Sequence, residues 1–464
     1  MDAKSALASS LQAALASRDE RWIRRRLPDP STSSSNSPLI DFNSNDYLSL
    51  SDSSKLRSHF LNKLAAAPDV LGSGGSRLLV NGRAHAALED RLAEFFRADT
   101  ALLFNSGFDA NVGFFSCVPQ AGDVVVYDEY IHASVHDGIR SSRVREAQYS
   151  FSHNSMPDLR RVLCRLREDK PALRTAQSSL FLSVESLYSM DGTFAPLQEI
   201  VDMLDEIFPM KNGYLVVDEA HSTGIYGPQG RGRVAMLGLE NRVLARLHTF
   251  GKALAATGAV VVTNTLIRDY LLNYARSLIY TTSLSYANIV AADCSFDMLI
   301  DGTAQHVTFL PADISKLMMA QLSNHLLELS TYFADTLRPL LTSQNIPATL
   351  VSLPSHLQLR QSSSSHLASP IIPVLTPHPR PLSAYLLALS MNARPITWPT
   401  VPKGKDRVRV CLHAGNTKSD VDRLIKGVVA WALETMRGDV GEEVGKRERR
   451  SRQDVLNGIL ESKL

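Results

Sequence analysis

The sequence predicts an α/β protein built on a mostly parallel sheet. Short apolar runs rich in β-branched residues alternate with helical segments between residues 101 and 262. Four of these runs end in polar residues, which is typical of the carboxyl edge of an open α/β sheet. Helical patterns dominate from Tyr286 onward, before two further strands. We therefore expect a large domain built on a mostly parallel sheet with helical crossovers, followed by a second unit that starts near Tyr286.

Composition narrows the class of protein. The chain has 464 residues, enough for two or three structural units, and its net charge is +2 at pH 7. A balance this close to neutral gives no electrostatic case for nucleic acid or a membrane surface, and no apolar run is long enough to span a bilayer. The four cysteines lie far apart, without metal-ligand spacing, so we expect them to be reduced and expect no metal site.

Composition also suggests where the domains divide. A helical pattern over residues 5–26 is followed by a Pro- and Ser-rich stretch that is typical of a linker. The last residues are rich in charge. The predicted division is an N-terminal helix and linker arm (1–45), a large domain (46–285), a small C-terminal domain (286–437) and a charged tail (438–464).

The central stretch runs from Tyr214 to Lys252. A buried strand ends at Asp218, and His221 follows three residues later. Lys252 stands between a glycine and an alanine-rich segment, where burial would lower its proton affinity and make it a nucleophile and a base. Taken singly, an Asp at a strand end is usually a helix cap, and a lysine after a glycine is usually exposed. Their order and spacing favour a functional site.

Two further strand ends complete the chemistry. A strand, a glycine turn and a helix start place Ser106 and Gly107 where backbone N–H groups can bind a phosphate. His132 follows another buried strand and offers a flat ring for stacking. An anion site, a stacking ring, a carboxylate and an imine-forming lysine together fit pyridoxal 5'-phosphate. A metal hydrolase would need clustered His and carboxylate ligands at fixed spacings, and the sequence has none. A serine hydrolase would need a Gly-x-Ser-x-Gly elbow, which is also absent from the sequence.

The motifs in this order resemble those of the α-oxoamine synthases. These are fold-type I pyridoxal-phosphate enzymes that condense an amino acid with an acyl-CoA. The resemblance covers residues 24–437. It rests on Asn45-Asp46-Tyr47-Leu48, Gly72-Ser73-Gly74-Gly75-Ser76, Ser106-Gly107-Phe108, Ser189-Met190-Asp191-Gly192, Asp218-Glu219-Ala220-His221-Ser222-Thr223-Gly224, Gly230-Arg231-Gly232, Thr249-Phe250-Gly251-Lys252 and Pro399-Thr400-Val401-Pro402.

The resemblance implies an aminotransferase-like α/β fold of type I, with a mostly parallel seven-stranded sheet in the large domain and a smaller C-terminal α+β domain. It also implies a role for each matching residue. Lys252 would carry the cofactor as a Schiff base and remove the Cα proton. Asp218 would pair with the pyridinium nitrogen. His221 would form a hydrogen bond to the ring oxygen, and His132 would stack on the ring. Further cofactor contacts would come from Ser106, Gly107, Phe108, Ser189, Thr249, Thr281 and Thr282. The last two would reach the phosphate from a neighbouring subunit, which implies a homodimer with shared active sites.

The resemblance also implies substrates. Arg409 would bind the substrate carboxylate, Asn45 would line the acyl entrance, and Arg24 would lie near the far end of the acyl chain. The most similar branch of the family joins L-alanine to pimeloyl-CoA in biotin biosynthesis. Bacterial members of that branch carry an arginine where this chain has Thr397, and Arg394 is a candidate replacement.

Two alternatives stay open at this point. One keeps the reaction but uses a fatty acyl or polyketide thioester in a specialised pathway. The other is a non-catalytic partner subunit of the same fold, which the presence of Lys252, Asp218, His221 and His132 argues against.

The chain ends in Ser462-Lys463-Leu464, which has the form of a peroxisomal address that an import receptor reads. We therefore expect a peroxisomal import receptor as a partner and a peroxisomal location.

Overall fold

The computed structural model describes residues 5–21, 23–25, 27, 39–300, 313–357 and 367–438. Within these residues the strands are β1 (Ile40–Asp41), β2 (Thr100–Phe104), β3 (Val124–Asp128), β4 (Gln148–Phe151), β5 (Leu180–Glu185), β6 (Gly213–Asp218), β7 (Ala245–Thr249), β8 (Ala259–Thr263), β9 (Ile371–Leu375), β10 (Met391–Asn392), β11 (Arg394–Ile396) and β12 (Arg407–Cys411). The helices are α1 (Ala6–Glu20), α2 (Ser54–Ala66), α3 (Arg83–Phe95), α4 (Gly107–Cys117), α5 (Ala133–Arg140), α6 (Met156–Asp169), α7 (Pro171–Arg174), α8 (Leu197–Ile207), α9 (Arg233–Met236), α10 (Thr265–Tyr274), α11 (Arg276–Ile279), α12 (Tyr286–Ile300), α13 (Asp313–Ser343), α14 (Pro379–Ala388) and α15 (Lys418–Met436).

The large sheet has seven strands in the order β2-β8-β7-β6-β5-β3-β4. All neighbours are parallel except β8, which runs antiparallel to both β2 and β7. The predicted seven-stranded, mostly parallel sheet is therefore confirmed. Its central strands carry apolar residues on both faces because helices cover both sides, as parallel sheets require.

The two faces of β5 show how the sheet is buried. Leu180, Leu182 and Val184 pack with helices α6 and α8 on one face. Phe181 points the other way, into the cluster formed with α4 and α5. Glu185, two pleats beyond Phe181, therefore lies on the α4 and α5 face, where the side chain of Asp218 also lies.

A second, three-stranded antiparallel sheet has the order β11-β12-β9. It packs with α13, α14 and α15 in the same apolar cluster as the N-terminal part of the large unit. A short parallel pair, β1 with β10, connects the N-terminal arm to this sheet. The predicted smaller C-terminal α+β unit is confirmed.

The N-terminal helix differs from its prediction. The pattern predicted a helix to residue 26, whereas α1 ends at Glu20 and has no buried residue. Leu7 and Leu11 are 57% and 52% exposed, because no other described element packs against their face. Among the described residues, no helix is both long and apolar enough to cross a membrane.

Candidate active site

The carboxyl edge of the large sheet gathers the predicted polar residues. Strands β5 and β6 end at Glu185 and Asp218, which are register partners. Strand β7 ends at Thr249, and Lys252 follows three residues later. The burial of these strands on both faces fixes where each side chain emerges, so residues far apart in sequence meet at one edge.

Asp218 is held as a hydrogen-bond acceptor. The Asn111 amide of α4 donates to Asp218 Oδ2 at 2.8 Å, and the Ala220 N–H donates to Oδ1 at 2.9 Å. Asp218 is only 8% exposed. These two donors fix the orientation of the carboxylate.

Lys252 is half-buried, in a turn that follows the large sheet. Burial lowers the pKa of its ammonium group below the usual value, and the positive charge of Arg409 acts in the same direction. Asp218 and Glu185 oppose this shift. The net lowering increases the fraction of neutral amine, which is the form that attacks a carbonyl carbon and accepts a proton.

His221 is linked to the N-terminal arm through Tyr47. The Tyr47 hydroxyl lies 2.7 Å from His221 Nδ1, and both residues are buried. Burial, followed by the positive charges of Lys252 and Arg409, holds the pKa of His221 well below its usual value. His221 is therefore neutral at pH 7, and its other ring nitrogen faces the site as a single hydrogen-bonding group.

His132 caps the N-terminus of α5. Its Nδ1 lies 2.7 Å from the Ser134 hydroxyl, and that hydroxyl accepts a hydrogen bond from Asn111 at 3.0 Å. One polar chain therefore orients both His132 and Asp218. The His132 ring is exposed, with Phe108 at 6.5 Å between ring centroids, so a face is open for a planar group.

The start of α4 brings together residues that were predicted to bind a phosphate. Ser106 is its N-cap residue and accepts a hydrogen bond from the Asp109 N–H at 3.0 Å. A Cβ at Gly107 would lie 3.5 Å from the Thr249 side chain, so these two predicted residues are neighbours. The first N–H groups of a helix have no partner within the helix, which makes such an end suitable for an anion.

Thr281 and Thr282 lie beside these residues in the same chain. The Asn105 amide donates to the Thr282 carbonyl at 2.7 Å and to the Thr281 hydroxyl at 3.3 Å. Asn105 immediately precedes Ser106. Both threonines therefore lie close to the start of α4.

Arg409 connects the small sheet to the site. Its Nε donates to the Ser189 carbonyl at 2.6 Å, and its Nη2 donates to Asn45 Oδ1 at 2.9 Å and lies 3.4 Å from the Tyr47 hydroxyl. The side chain is 5% exposed. These bonds hold the guanidinium in one orientation beside Ser189 and Asn45, both predicted site residues.

The other predicted arginines lie elsewhere. Arg24 pairs with Asp19 after the end of α1, and no described contact connects it to the site. Arg394 is exposed on β11 as the register partner of Arg409, so both side chains leave the same face of the small sheet. The Thr397 hydroxyl is contacted at 3.4 Å by Arg380 of α14, an arginine that the sequence did not single out. The C-terminal tripeptide lies outside the described residues.

Sequence reasoning missed two residues that organise the site. Tyr47 was noted only as part of a motif, yet it contacts His221 and Arg409. Asn111 gave no signal, because an asparagine inside a helix has no distinctive spacing. Only the packing of α4 against the end of β6 shows that Asn111 reaches Asp218.

The residues present fit pyridoxal 5'-phosphate. A free helix end suits its phosphate, an open imidazole face suits its ring, and a buried carboxylate suits its pyridine nitrogen. A lysine of lowered pKa lies at the same edge. None of the described site residues named above conflicts with binding of pyridoxal 5'-phosphate.

Fold and site together define a fold-type I enzyme of the pyridoxal-phosphate class. Residues 37–428 match the family of class I and II aminotransferases. The chain belongs to this family and, within it, to the α-oxoamine synthases, which makes it an acyltransferase-like enzyme.

Individual relatives support this placement. The chain is 42% identical over 434 residues to an 8-amino-7-oxononanoate synthase of Emericella nidulans, covering 93% of this chain and 97% of the relative. It is 38% identical over 413 residues to the aminoacyl transferase sphA of Aspergillus fumigatus, covering 88% of this chain and 84% of the relative. The predicted family is confirmed, and its similar proteins carry two different names, an 8-amino-7-oxononanoate synthase and an aminoacyl transferase.

Solved structures agree on the fold. A serine palmitoyltransferase of Sphingomonas wittichii superposes with a TM-score of 0.73 at 24% identity, over 93% of this chain and 99% of that one. An 8-amino-7-oxononanoate synthase of Francisella tularensis superposes with a TM-score of 0.61 at 25% identity, over 86% and 99%. A further serine palmitoyltransferase structure, at 22% identity, was solved with pyridoxal phosphate bound.

Proposed function

We propose that this enzyme condenses L-alanine with pimeloyl-CoA, releasing CoA and CO2 and giving 8-amino-7-oxononanoate for biotin biosynthesis. The observation that carries the proposal is the contact between the small sheet and the edge of the large sheet. Arg409 Nη2 lies 3.4 Å from the Tyr47 hydroxyl, and that hydroxyl lies 2.7 Å from His221 Nδ1, at the edge that Asp218 and Lys252 share. A nucleophilic amine, a carboxylate and a carboxylate-binding guanidinium are what the condensation of an amino acid requires.

We propose pyridoxal 5'-phosphate as the cofactor, which when bound supplies an electron sink for the amino acid's Cα. Asp218, which accepts hydrogen bonds from Asn111 and from the Ala220 N–H, would hold a proton on the pyridine nitrogen. Lys252 would bind the cofactor and take the Cα proton, and His221 would donate to the ring oxygen. The helix start at Ser106 and Gly107 would hold the phosphate, and His132 would cover one ring face.

Arg409 orients the amino acid. Its bonds to Ser189 and Asn45 leave the guanidinium fixed in the small sheet, so a substrate carboxylate can pair with it without loss of side-chain freedom. Because the Arg409 side chain is buried, water screens its attraction for a carboxylate only weakly.

Arg394 is a candidate residue for recognition of the acyl group. Arg394 leaves the same face of the small sheet as Arg409 and is exposed. Arg380 contacts the hydroxyl of Thr397, where bacterial members of the branch carry an arginine. Two arginines therefore flank the region in which the terminal carboxylate of a pimeloyl chain would lie.

A second candidate function is supported by the similarity to sphA. Such an enzyme would keep the same cofactor chemistry but take a long-chain or polyketide thioester. Position 397 is a threonine and not an arginine. This favours the second candidate function, because a neutral residue there suits an acyl chain without a terminal carboxylate.

A panel of acyl donors decides between the two. Purified enzyme with L-alanine should release CoA fastest with pimeloyl-CoA, measured as free thiol, and much more slowly with palmitoyl-CoA. The second candidate is favoured if only long-chain thioesters react.

Arg394→Ala tests the acyl site directly. We expect KM for pimeloyl-CoA to rise about tenfold, the worth of one exposed charge-assisted hydrogen bond, while KM for L-alanine stays within about twofold. Arg423→Ala, which removes an exposed arginine whose described bond is to the Leu389 carbonyl, is the matched control. An unchanged KM for pimeloyl-CoA would contradict the role of Arg394.

We also propose a homodimer with shared sites. The exposed apolar residues Leu71, Leu79 and Tyr280, at 77%, 79% and 72% exposure, support a covered surface next to Thr281. Sedimentation velocity should give twice the chain mass. A species of single-chain mass at micromolar concentration would contradict the dimer.

We propose a peroxisomal location from the C-terminal Ser462-Lys463-Leu464. A fluorescent protein fused to the N-terminus of the chain should give puncta that overlap a peroxisomal marker. Removal of the three residues should disperse the signal. Unchanged puncta after removal would count against this address and its import receptor.

A further inference from the structure

Tyr47 is a buried residue at this site to which the roles above assign no task. It lies in the segment between β1 and α2, and its exposed fraction is 0%. Its backbone carbonyl accepts a hydrogen bond from the Ala414 N–H at 2.8 Å, which attaches it to the small C-terminal unit. Its hydroxyl reaches the edge of the large sheet, where it lies 2.7 Å from His221 Nδ1. Tyr47 therefore joins the two units at the active site.

Three polar groups surround the Tyr47 hydroxyl. Besides His221 Nδ1, these are Asn45 Oδ1 at 3.2 Å and Arg409 Nη2 at 3.4 Å. A guanidinium can only donate, so Arg409 directs an N–H towards the hydroxyl oxygen. Asn45 Oδ1 already accepts a hydrogen bond from Arg409 at 2.9 Å. The hydroxyl has one proton of its own, and His221 and Asn45 compete for it.

The distances decide where that proton lies. The 2.7 Å between the Tyr47 hydroxyl and His221 Nδ1 is typical of an O–H donor, whereas an N–H donor usually lies about 2.9–3.0 Å from its acceptor. The contact with Asn45 is longer, at 3.2 Å. The positive charge of Arg409 also makes the hydroxyl a better donor and a poorer acceptor. Tyr47 therefore donates its proton to His221 Nδ1.

Both partners of this hydrogen bond are neutral at pH 7. Burial raises the pKa of the Tyr47 hydroxyl well above its usual value, and the charge of Arg409 opposes this shift only in part. Burial lowers the pKa of His221, and Lys252, Arg409 and His132 act in the same direction. A neutral imidazole has one N–H and one acceptor nitrogen. Because Nδ1 of His221 accepts from Tyr47, its ring proton is on Nε2.

We propose that Tyr47 is a positioning residue that fixes His221 as an N–H donor towards the ring oxygen of the cofactor. The inference rests on the proposed function, which places His221 at that oxygen. A series of donors then runs from the small sheet to the cofactor site, from the Arg409 guanidinium to the Tyr47 hydroxyl and from there to His221. Without the hydroxyl, either ring nitrogen of His221 can carry the proton, and only one of the two forms donates to the ring oxygen.

The position of the His221 proton can be measured without any substrate. In the 15N spectrum of the full chain labelled at histidine, the His221 signals are those that disappear in His221→Gln. Before the cofactor is added, wild-type His221 should show a protonated Nε2 and an unprotonated Nδ1, two states with distinct chemical shifts. Tyr47→Phe keeps the ring and removes only the hydroxyl, so His221 in this variant should exchange between both tautomers and give averaged shifts.

The bound cofactor supplies a second measurement. A hydrogen bond donated to the ring oxygen stabilises its anionic form, so a weaker bond raises the proton affinity of this oxygen and of the Schiff-base nitrogen beside it. The pH at which the absorbance near roughly 420 nm changes should therefore move up by about one unit in Y47F, a roughly tenfold change in proton affinity.

Tyr226→Phe is the matched control for the spectrum. It also removes a buried hydroxyl, which donates at 2.7 Å to the Ala368 carbonyl. The loss of this hydrogen bond should lower the melting temperature and leave the pH dependence of the absorbance unchanged. A shift in Y47F that Y226F lacks therefore belongs to the contact with His221 and not to a general loosening of the fold.

Turnover separates positioning from substrate binding. We expect kcat of Y47F to fall roughly tenfold, which is less than the loss of a direct donor costs, while KM for L-alanine changes less than about threefold. KM is maintained because the Ser189 carbonyl and the Asn45 side chain still hold Arg409.

The outcomes distinguish this role from the proposed function. A wild-type His221 with its proton on Nδ1 overturns the role of Tyr47, whether or not Y47F folds. A Y47F enzyme with wild-type kcat and an unchanged pH dependence of the absorbance also overturns it, and both results leave the condensation untouched. A wild-type enzyme that lacks the absorbance, or that turns over no acyl-CoA, contradicts the proposed function, while the 15N spectrum still decides the contact between Tyr47 and His221.

Discussion

Lys252→Ala should abolish turnover, with a loss of at least about a thousandfold. This substitution removes both the amine that binds the cofactor and the base that takes the Cα proton, and each role alone is worth orders of magnitude. The purified variant mixed with pyridoxal 5'-phosphate should also lack the absorbance near roughly 420 nm that a lysine Schiff base gives. Turnover is followed as CoA thiol release.

Lys211→Ala is the control for this experiment. Lys211 lies on the surface, paired with Asp205, and its side chain is 70% exposed. Its loss should leave both absorbance and turnover unchanged. A Lys252→Ala variant that keeps the absorbance band would assign the Schiff base to another lysine and overturn the site.

The same variant provides a test of shared active sites. If Thr281 and Thr282 act across a dimer, a mixture of Lys252→Ala subunits with subunits carrying Ala at both threonines should regain activity after unfolding and refolding together. In such a mixed dimer one site has an intact Lys252 from one chain and intact threonines from the other. Activity no higher than that of the separate variants would place each site within a single chain.

Asp218→Asn should lower kcat by about a hundredfold to a thousandfold, the cost of removing a fixed charge from a water-excluded site. Asparagine has nearly the same shape but carries no charge to hold a proton on the pyridine nitrogen. The absorbance of the bound cofactor should persist, because Lys252 is unchanged. The measurement is kcat at saturating substrates, together with this spectrum.

The Asp218 variant also needs a control for folding. The amide of an introduced asparagine meets the Asn111 amide, which donates to Asp218 Oδ2 in the wild type. Melting temperature should therefore be compared with that of Asp202→Asn, in which a side chain of 61% exposure is changed. Wild-type kcat in Asp218→Asn would show that the charge of Asp218 plays no part in the reaction.

Sequence reasoning predicted most of the large sheet because its strands are short, apolar and separated by helices. It placed Asp218, Ser106 and His132 at strand ends for the same reason, since parallel strands deliver their carboxyl ends to one edge. The predicted N-terminal helix was longer than α1, which ends at Glu20. Periodicity alone does not show whether a helix face has anything to pack against.

Contacts between distant segments were beyond sequence reasoning. Residue spacing gives no sign that Tyr47 would reach His221 across 174 positions, or that Asn111 would reach Asp218 across 107. Arg380 beside Thr397 is a similar case, because its helix lies next to β11 only once the small sheet has formed. Such contacts depend on how helices dock, which many sequence positions decide together.

By itself, the sequence determined the fold class and the chemical types gathered at the sheet edge, because strand periodicity and motif order are local properties. Only the tertiary structure decided how charge is distributed among them. The register of β5 against β6 brings Glu185 beside Asp218, and the docking of the small sheet brings Arg409 towards Lys252. Proton affinities depend on burial and on distances between charges, and both exist only after the chain has folded.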